Sequence, residues 1–374
     1  MLTVGTNVPT PLYARYQQVF GFTSTVVTLI FAVYAVAMIP TLLFCGGLAD
    51  RVGHRRVVIP AVLLAIAAAS LFAFAHSVAW LFAARVLQGV SVGAASSALT
   101  AALVETEPSG NQRRASLLAS AMITGGGGIG PVLAGALSQY APAPLQLCYV
   151  VELILLTGAL AAVATLPSQS VRPEGTRLRR PHIPSRLRRP FAIASAVSFL
   201  GWSVVAVFLA IVPTYASTLL HCRNLLLSGT ASGMFLLCAA TTQYVMARSA
   251  AAPTSVAGLM MLAAGLVALT VAGWTQSVWV LFVAAVCGGS GQGVAFMGAI
   301  RKVNELAPHN CRAEMLSAFY VVTYLGVGIP VIGIGFLEGV MGLFVAVAIF
   351  SVATALGCLV VAVVSWRADR FSPS

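Results

Sequence analysis

The sequence predicts an all-α protein that crosses a membrane many times, and three observations carry that prediction. Apolar residues make up 59% of the chain and charged ones only 8%, with a mean hydropathy of +0.95. A soluble domain carries about 25% charge, and no soluble fold hides this much apolar surface. The apolar residues come in runs of roughly twenty, the length an α-helix needs to cross about 30 Å of hydrocarbon. The basic residues, 20 of the 21 being arginine, fall in the short gaps between runs, so the net charge of +12 is not gathered on one soluble face and no nucleic-acid partner is expected.

Taken in order, residues 1–23 come before the first full run. Thr6-Asn7-Val8-Pro9-Thr10-Pro11-Leu12-Tyr13 reads as the end of a helix and the turn beyond it. Residues 1–12 supply at most about 18 Å of helix, too little to cross. Eleven spans follow, near 24–45, 57–76, 79–104, 115–138, 146–166, 191–218, 226–247, 254–274, 277–300, 313–335 and 341–366. Residues 167–189 hold Pro167, Pro173, Pro181 and Pro184 among seven arginines. That density of proline and charge rules out a span and reads as a basic linker at an anionic membrane surface. It divides the chain into 1–166 and 190–366, with a tail at 367–374.

Alternate gaps carry 18 basic residues on one side and two (Arg15 and Arg223) on the other, with Arg85 inside a span. The basic side is cytoplasmic by the positive-inside rule, which puts the C-terminus there. The seven cysteines show no CxxC pair and most lie within spans, so they read as small apolar residues without a metal or a disulfide. No cleavable signal peptide is visible.

The gap after the first full span reads Gly46-Gly47-Leu48-Ala49-Asp50-Arg51-Val52-Gly53-His54-Arg55-Arg56. As a short glycine-hinged loop it resembles, position by position, the G-x-L-A-D-R-x-G-basic-basic signature of the major facilitator superfamily. His54 stands where that family usually has Arg or Lys. The resemblance implies two pseudo-symmetric six-helix bundles, of which this chain shows eleven full spans of the usual twelve. Most of the first helix is missing, and an in-frame upstream extension is expected to supply it, with a natural truncation as the alternative. It also implies that Asp50 latches the two halves by facing the region Arg312–Leu316; a local cap, or a pair with Arg51, is the alternative. His54 is either a brace to Glu105 or Glu107, charged only near or below about pH 6.5, or a plain solvated loop histidine.

Arg85-Val86-Leu87-Gln88-Gly89 resembles the family's R-x-x-Q-G signature, which implies a part for Arg85 and Gln88 in proton coupling and substrate handling. A charge inside a span costs a few kcal/mol or more unless it faces a cavity or a partner, though Arg can also snorkel to the interface. Gly89, Gly93 and the small residues after them make a face for close packing. Gly125-Gly126-Gly127-Gly128-Ile129-Gly130-Pro131-Val132-Leu133-Ala134-Gly135 resembles the G-x-x-x-G-P-x-x-G-G signature of the antiporter branch, with Ala134 at one glycine position. It implies export, and its alternative is helix packing without directional meaning. Glu152 is the one acid well inside a span, where a carboxylate pairs or takes up a proton. An ion pair with Arg85 and a proton-carrying role are the two readings. In the second half Gln292, Tyr320 and Tyr324 are polar groups placed for a substrate path.

The function expected is secondary transport: proton-coupled efflux of a small organic compound by alternating access, by a monomer in a bacterial inner membrane. Proton-coupled uptake of a metabolite, or an inactive truncated paralogue, is the alternative. No GxxxxGK[ST] motif, nucleophile elbow, metal cluster or paired carboxylates occur, so no enzyme activity, cofactor or metal is expected. The charge asymmetry predicts that reporters fused after Ser374 and within 175–185 read as cytoplasmic and one beside Arg223 as external; a cytoplasmic signal at Arg223 would overturn the span order.

Overall fold

The computed structural model describes the backbone of residues 1–106, 112–165, 185–221, 224–248, 255–308 and 312–370. It describes their side chains apart from those of 46–51, 97, 100–106, 112–121, 247–248, 312–314 and 369–370. No strand occurs among these residues. The chain enters through α1 (Leu2–Asn7), a 3₁₀ turn at Thr10–Leu12 and α2 (Tyr13–Phe20). The helical path therefore runs on to Phe20 instead of turning at the prolines. Pro9 sits at φ −67°, the value its ring imposes, and Pro11 lies in the first turn of the 3₁₀ segment, where an N–H would have no helical partner. The turn falls at Gly21, whose φ of 68° suits glycine.

The spans follow as α3 (Ser24–Val52), α4 (His54–Ala73), α5 (Val78–Thr106), α6 (Gln112–Tyr140), α7 (Leu147–Thr165), α8 (Arg188–Ala210) with its short continuation α9 (Val212–Thr218), α10 (Leu225–Arg248), α11 (Ser255–Thr275), α12 (Val278–Leu306), α13 (Arg312–Met341) and α14 (Leu343–Arg370). Ten of these helices are long and apolar enough to cross a membrane over their described residues. At 29 residues α6 also exceeds the roughly twenty that a crossing takes.

One expectation is corrected. The basic stretch after the first span is not a loop: α3 continues through Val52, α4 begins at His54, and Gly53 alone connects them, at φ 90° and ψ 143°. Leu48, Ala49 and Arg51 are good helix formers, so nothing stops α3 until a residue that tolerates positive φ. The run read as one span at 191–218 is likewise divided, at Ile211, one residue before α9 opens with Pro213 in its first turn.

Two groups of helices pack together. In the first, α5 lies against α3 and α4, α4 against α7, and α1 against α6. In the second, α12 lies against α11, α10 and α8, α14 against α11, and α13 against α8. The pairs α6–α10 and α3–α13 join the groups. Glycine decides how close the helices come. A Cβ on Gly291 of α12 would lie 2.8 Å from the Gly258 carbonyl oxygen of α11, and one on Gly93 of α5 2.8 Å from the Met38 carbonyl oxygen of α3. These are backbone contacts that dispersion and small residues make possible in lipid.

Gly291→Ala should lower stability by about 1–3 kcal/mol, because the overlap is with backbone and cannot rotate away. Gly158→Ala on α7 meets nothing within 4 Å, so it should be neutral or raise stability by up to about 1 kcal/mol. Thermal unfolding in one detergent checks both, and equal melting temperatures for the two variants would contradict the seam.

Candidate functional site

The polar centre of the first group is fastened at main-chain carbonyls, one of them freed by a proline. A proline has no N–H, so in a helix the carbonyl four residues earlier loses its partner. The Gly5 carbonyl, at the end of α1, accepts from the Val8 N–H at 3.2 Å, whereas Pro131, inside α6, frees the carbonyl of Gly127. In lipid such a carbonyl needs another donor. Gln88 of α5 donates Nε2–H to the Gly5 oxygen at 3.0 Å, and Asn7 donates Nδ2–H to the Gly127 oxygen at 3.0 Å.

Arg85, one turn before Gly89, is the largest fully buried side chain, at 1% exposure. Its Nε donates to Tyr13 Oη at 2.7 Å, and its Nη1 donates to the Thr6 carbonyl at 2.8 Å and to Gln88 Oε1 at 2.6 Å. The rings of Tyr13, Phe31, Tyr34 and Phe72 all have centroids 5.5–5.7 Å from its guanidinium carbon. A guanidinium keeps its charge in proteins, and here dipoles and π faces answer it. It is neither at a lipid face nor snorkelling.

Glu152 does not pair with Arg85: no ion pair joins them among the described residues, and Glu152 Oε2 and Arg85 Nη2 both lack a hydrogen-bond partner. Glu152 reaches α1 instead. It is 5% exposed and fits against Gly5, where any Cβ would overlap its carboxylate. Arg85, Gln88 and Glu152 thus converge on the same two residues, Gly5 and Thr6. Sequence reading placed Arg85, Gln88 and Glu152 but missed Tyr13, Asn7 and the freed Gly127 carbonyl. The four-residue offset from Pro131 is the signal that could have found that carbonyl.

The glycine run of α6 is two-faced. A Cβ on Gly126 would overlap the Thr3 hydroxyl, and one on Gly130 the Val4 carbonyl, both of α1. On the other face Gly128 meets Gly233 and Leu237, and Gly135 meets Leu225, all of α10. The Pro131 carbonyl in turn lies where Gly229 of α10 would carry a Cβ. Near the other end of the α6–α10 seam, Thr124 Oγ1 lies 3.5 Å from Gln243 Oε1. On the α3–α13 seam Thr25 donates to the Gly335 carbonyl at 2.8 Å.

In the second group Gln292 is 1% exposed, and its Oε1 has no partner. Tyr324 and Tyr320 are partly buried and stack at 6.4 Å, and Trp202, missed in the sequence, lies 6.0 Å from Tyr324. His54 is buried at the start of α4, and Arg55 follows it there. Gly46, Asp50, Arg51, Glu105 and Arg312 are described by their backbone alone, and Glu107 lies outside the described residues. So does most of 167–189.

A family model described as Major Facilitator Superfamily matches residues 1–331. Among curated relatives, the bacillibactin exporter of Bacillus subtilis is 34% identical over 101 residues, 25% of each chain. The quinolone resistance protein NorA of Staphylococcus aureus is 24% identical over 139 residues, 37% of this chain and 36% of that one. The chain thus matches only about a quarter to a third of these relatives' length. Among solved structures, a POT family transporter in complex with 5-aminolevulinic acid superposes with a TM-score of 0.77 at 13% identity, covering 98% of this chain and 93% of the other. The human organic anion transporter MFSD10 superposes at 0.69 and 16% identity, covering 96% of both chains. At these identities the likeness is one of fold.

Arg85→Lys should fold but lose stability by about 1–3 kcal/mol, since one ammonium cannot serve the three acceptors that the planar fork reaches together. An unchanged melting temperature would mean that the fork does not hold α1 in place.

Proposed function

The chain belongs to the Major Facilitator Superfamily, and from that premise we propose that it is a proton-coupled exporter of a small organic compound. Ten helices fit for a membrane and a family of transporters make it an integral membrane transporter; direction, coupling ion and substrate are the proposal. Residues 1–166 and 190–366 act as two halves joined by 167–189, and they rock about a site between them. The observation that carries the export reading is the seam of α6. Its glycine-proline run, similar to the antiporter signature, lies between α1 and the α10 helix of the other half. A seam where glycines bring the two backbones together and few side chains cross is a surface on which one half turns over the other. The similarity to proteins named for siderophore export and drug resistance supports the same direction.

In this reading Glu152 carries the proton, because it is a buried carboxylate whose Oε2 has no partner. Arg85 and Gln88 position α1 beside it. Asp50, with Gly46, Arg51, Gly53, His54 and Arg55 around the α3–α4 junction, forms the latch between halves. Gly126, Gly130, Pro131 and Gly135 form the sliding seam, and Gln292 and Tyr324 face the substrate. The protein works as a monomer in a bacterial plasma membrane with its C-terminus in the cytoplasm.

Cells lacking their own exporters and expressing this chain should accumulate less of at least one compound from a panel of small aromatic compounds. A protonophore should erase the difference. Glu152→Gln and Arg85→Lys, expressed at wild-type level, should each reduce the efflux rate at least tenfold. Greater accumulation in expressing cells would reverse the direction, and full activity of Glu152→Gln would remove the proton from that residue.

A further inference from the structure

We infer that the second group of helices holds a binding site for a planar, uncharged heteroaromatic compound that carries a hydrogen-bond donor and an acceptor on one edge. The inference rests on the transport reading for its purpose, but not for its geometry. Gln292 is the middle residue of the 29-residue helix α12. Its amide is buried, with Oε1 unpartnered, and its Cγ lies 3.5 Å from where Gly201 of α8 would carry a Cβ. The next residue of α8, Trp202, has a buried indole Nε1–H that also lacks a partner. A buried polar atom left without a partner is costly, and here two of complementary sign lie on adjoining stretches of α12 and α8. A ligand edge with C=O beside N–H, as in a lactam, would satisfy both.

The walls around these two groups are aromatic. Phe296, one turn after Gln292, meets Trp202 edge-on at 5.8 Å, and Tyr324 closes on Trp202 at 6.0 Å and stacks with Tyr320 at 6.4 Å. Trp202, Tyr320 and Tyr324 are only partly buried although they pack on the core. Aromatic pairs favour offset or edge arrangements that a flat ring can enter.

Charge fixes the class further. None of the lining residues named above carries a carboxylate, so a cationic ligand would find no anion on these walls to pair with.

Isothermal titration of the purified full chain in nanodiscs tests this without any gradient. Isoquinolin-1-one, a neutral planar lactam, should bind, and its N-methyl derivative, which lacks the donor, should bind at least tenfold more weakly. Trp202→Phe and Gln292→Leu should each weaken isoquinolin-1-one at least tenfold, and Gln292→Leu should not lower the melting temperature, because it removes an unsatisfied buried amide. Tetraphenylphosphonium should not compete. Absence of lactam binding to the folded wild type would overturn the proposal. So would unchanged affinity in both variants, a lowered melting temperature for Gln292→Leu, or competition by the cation. If Trp202→Phe fails to fold, Gln292→Leu decides alone. Lactam binding without any transport would sink the transport reading and leave this one standing.

Discussion

A guanidinium at 1% exposure within a span sets the terms for everything around it. Its charge cannot be discharged, and leaving it in hydrocarbon costs at least a few kcal/mol. The first group of helices answers with a hydroxyl, a main-chain carbonyl, an amide and four ring faces. Two of those answers come from the N-terminal pieces, Thr6 in α1 and Tyr13 at the start of α2. A six-residue helix has little stability of its own. Arg85 and Gln88 therefore pin α1, and α1 in turn supplies the surface against which Glu152 and the α6 glycines are placed.

The same logic explains why proline sits where it does. Each proline in a membrane helix creates an acceptor that some other element must meet. Pro131 creates one on α6, at the Gly127 carbonyl that faces α1. The donor that meets it, Asn7, ties α1 to α6, and Gln88, donating to the Gly5 carbonyl, ties α5 to α1. A hydrogen bond lost in one helix is thus a fastening point for the next.

The helical fold was legible because hydropathy period and length leave little choice in a bilayer. Its joints were less so. The stretch Gly46–Arg56 looked like a loop because it is polar and basic, yet polarity only tells where the helix leaves the hydrocarbon, not where it ends; Gly53, with its positive φ, ends it. Arg85, Gln88 and Glu152 stood out as polar groups in apolar runs. Of the two readings of Glu152, the pair with Arg85 does not form, because helix periodicity fixes which face a residue occupies but not which neighbour fills the space between. Here α1 fills it. Trp202 carried no signal at all, since an indole in an apolar run is indistinguishable from core until its N–H is found without a partner.

The two groups of helices divide the chemistry between them. The first holds the buried charge and the buried acid close to α1; the second is neutral and aromatic at its middle, with Gln292 and Trp202 as its open polar groups. The seams that join them, α6–α10 and α3–α13, are rich in glycine and threonine, and their contacts are largely to main-chain carbonyls. Contacts of that kind are short-ranged and individually weak, so they can be exchanged for similar ones a turn further along without stranding a polar group. In the proposed proton-coupled cycle, a proton taken up by Glu152 beside α1 changes the fit of that seam, while the charge of Arg85 stays within its own group of helices.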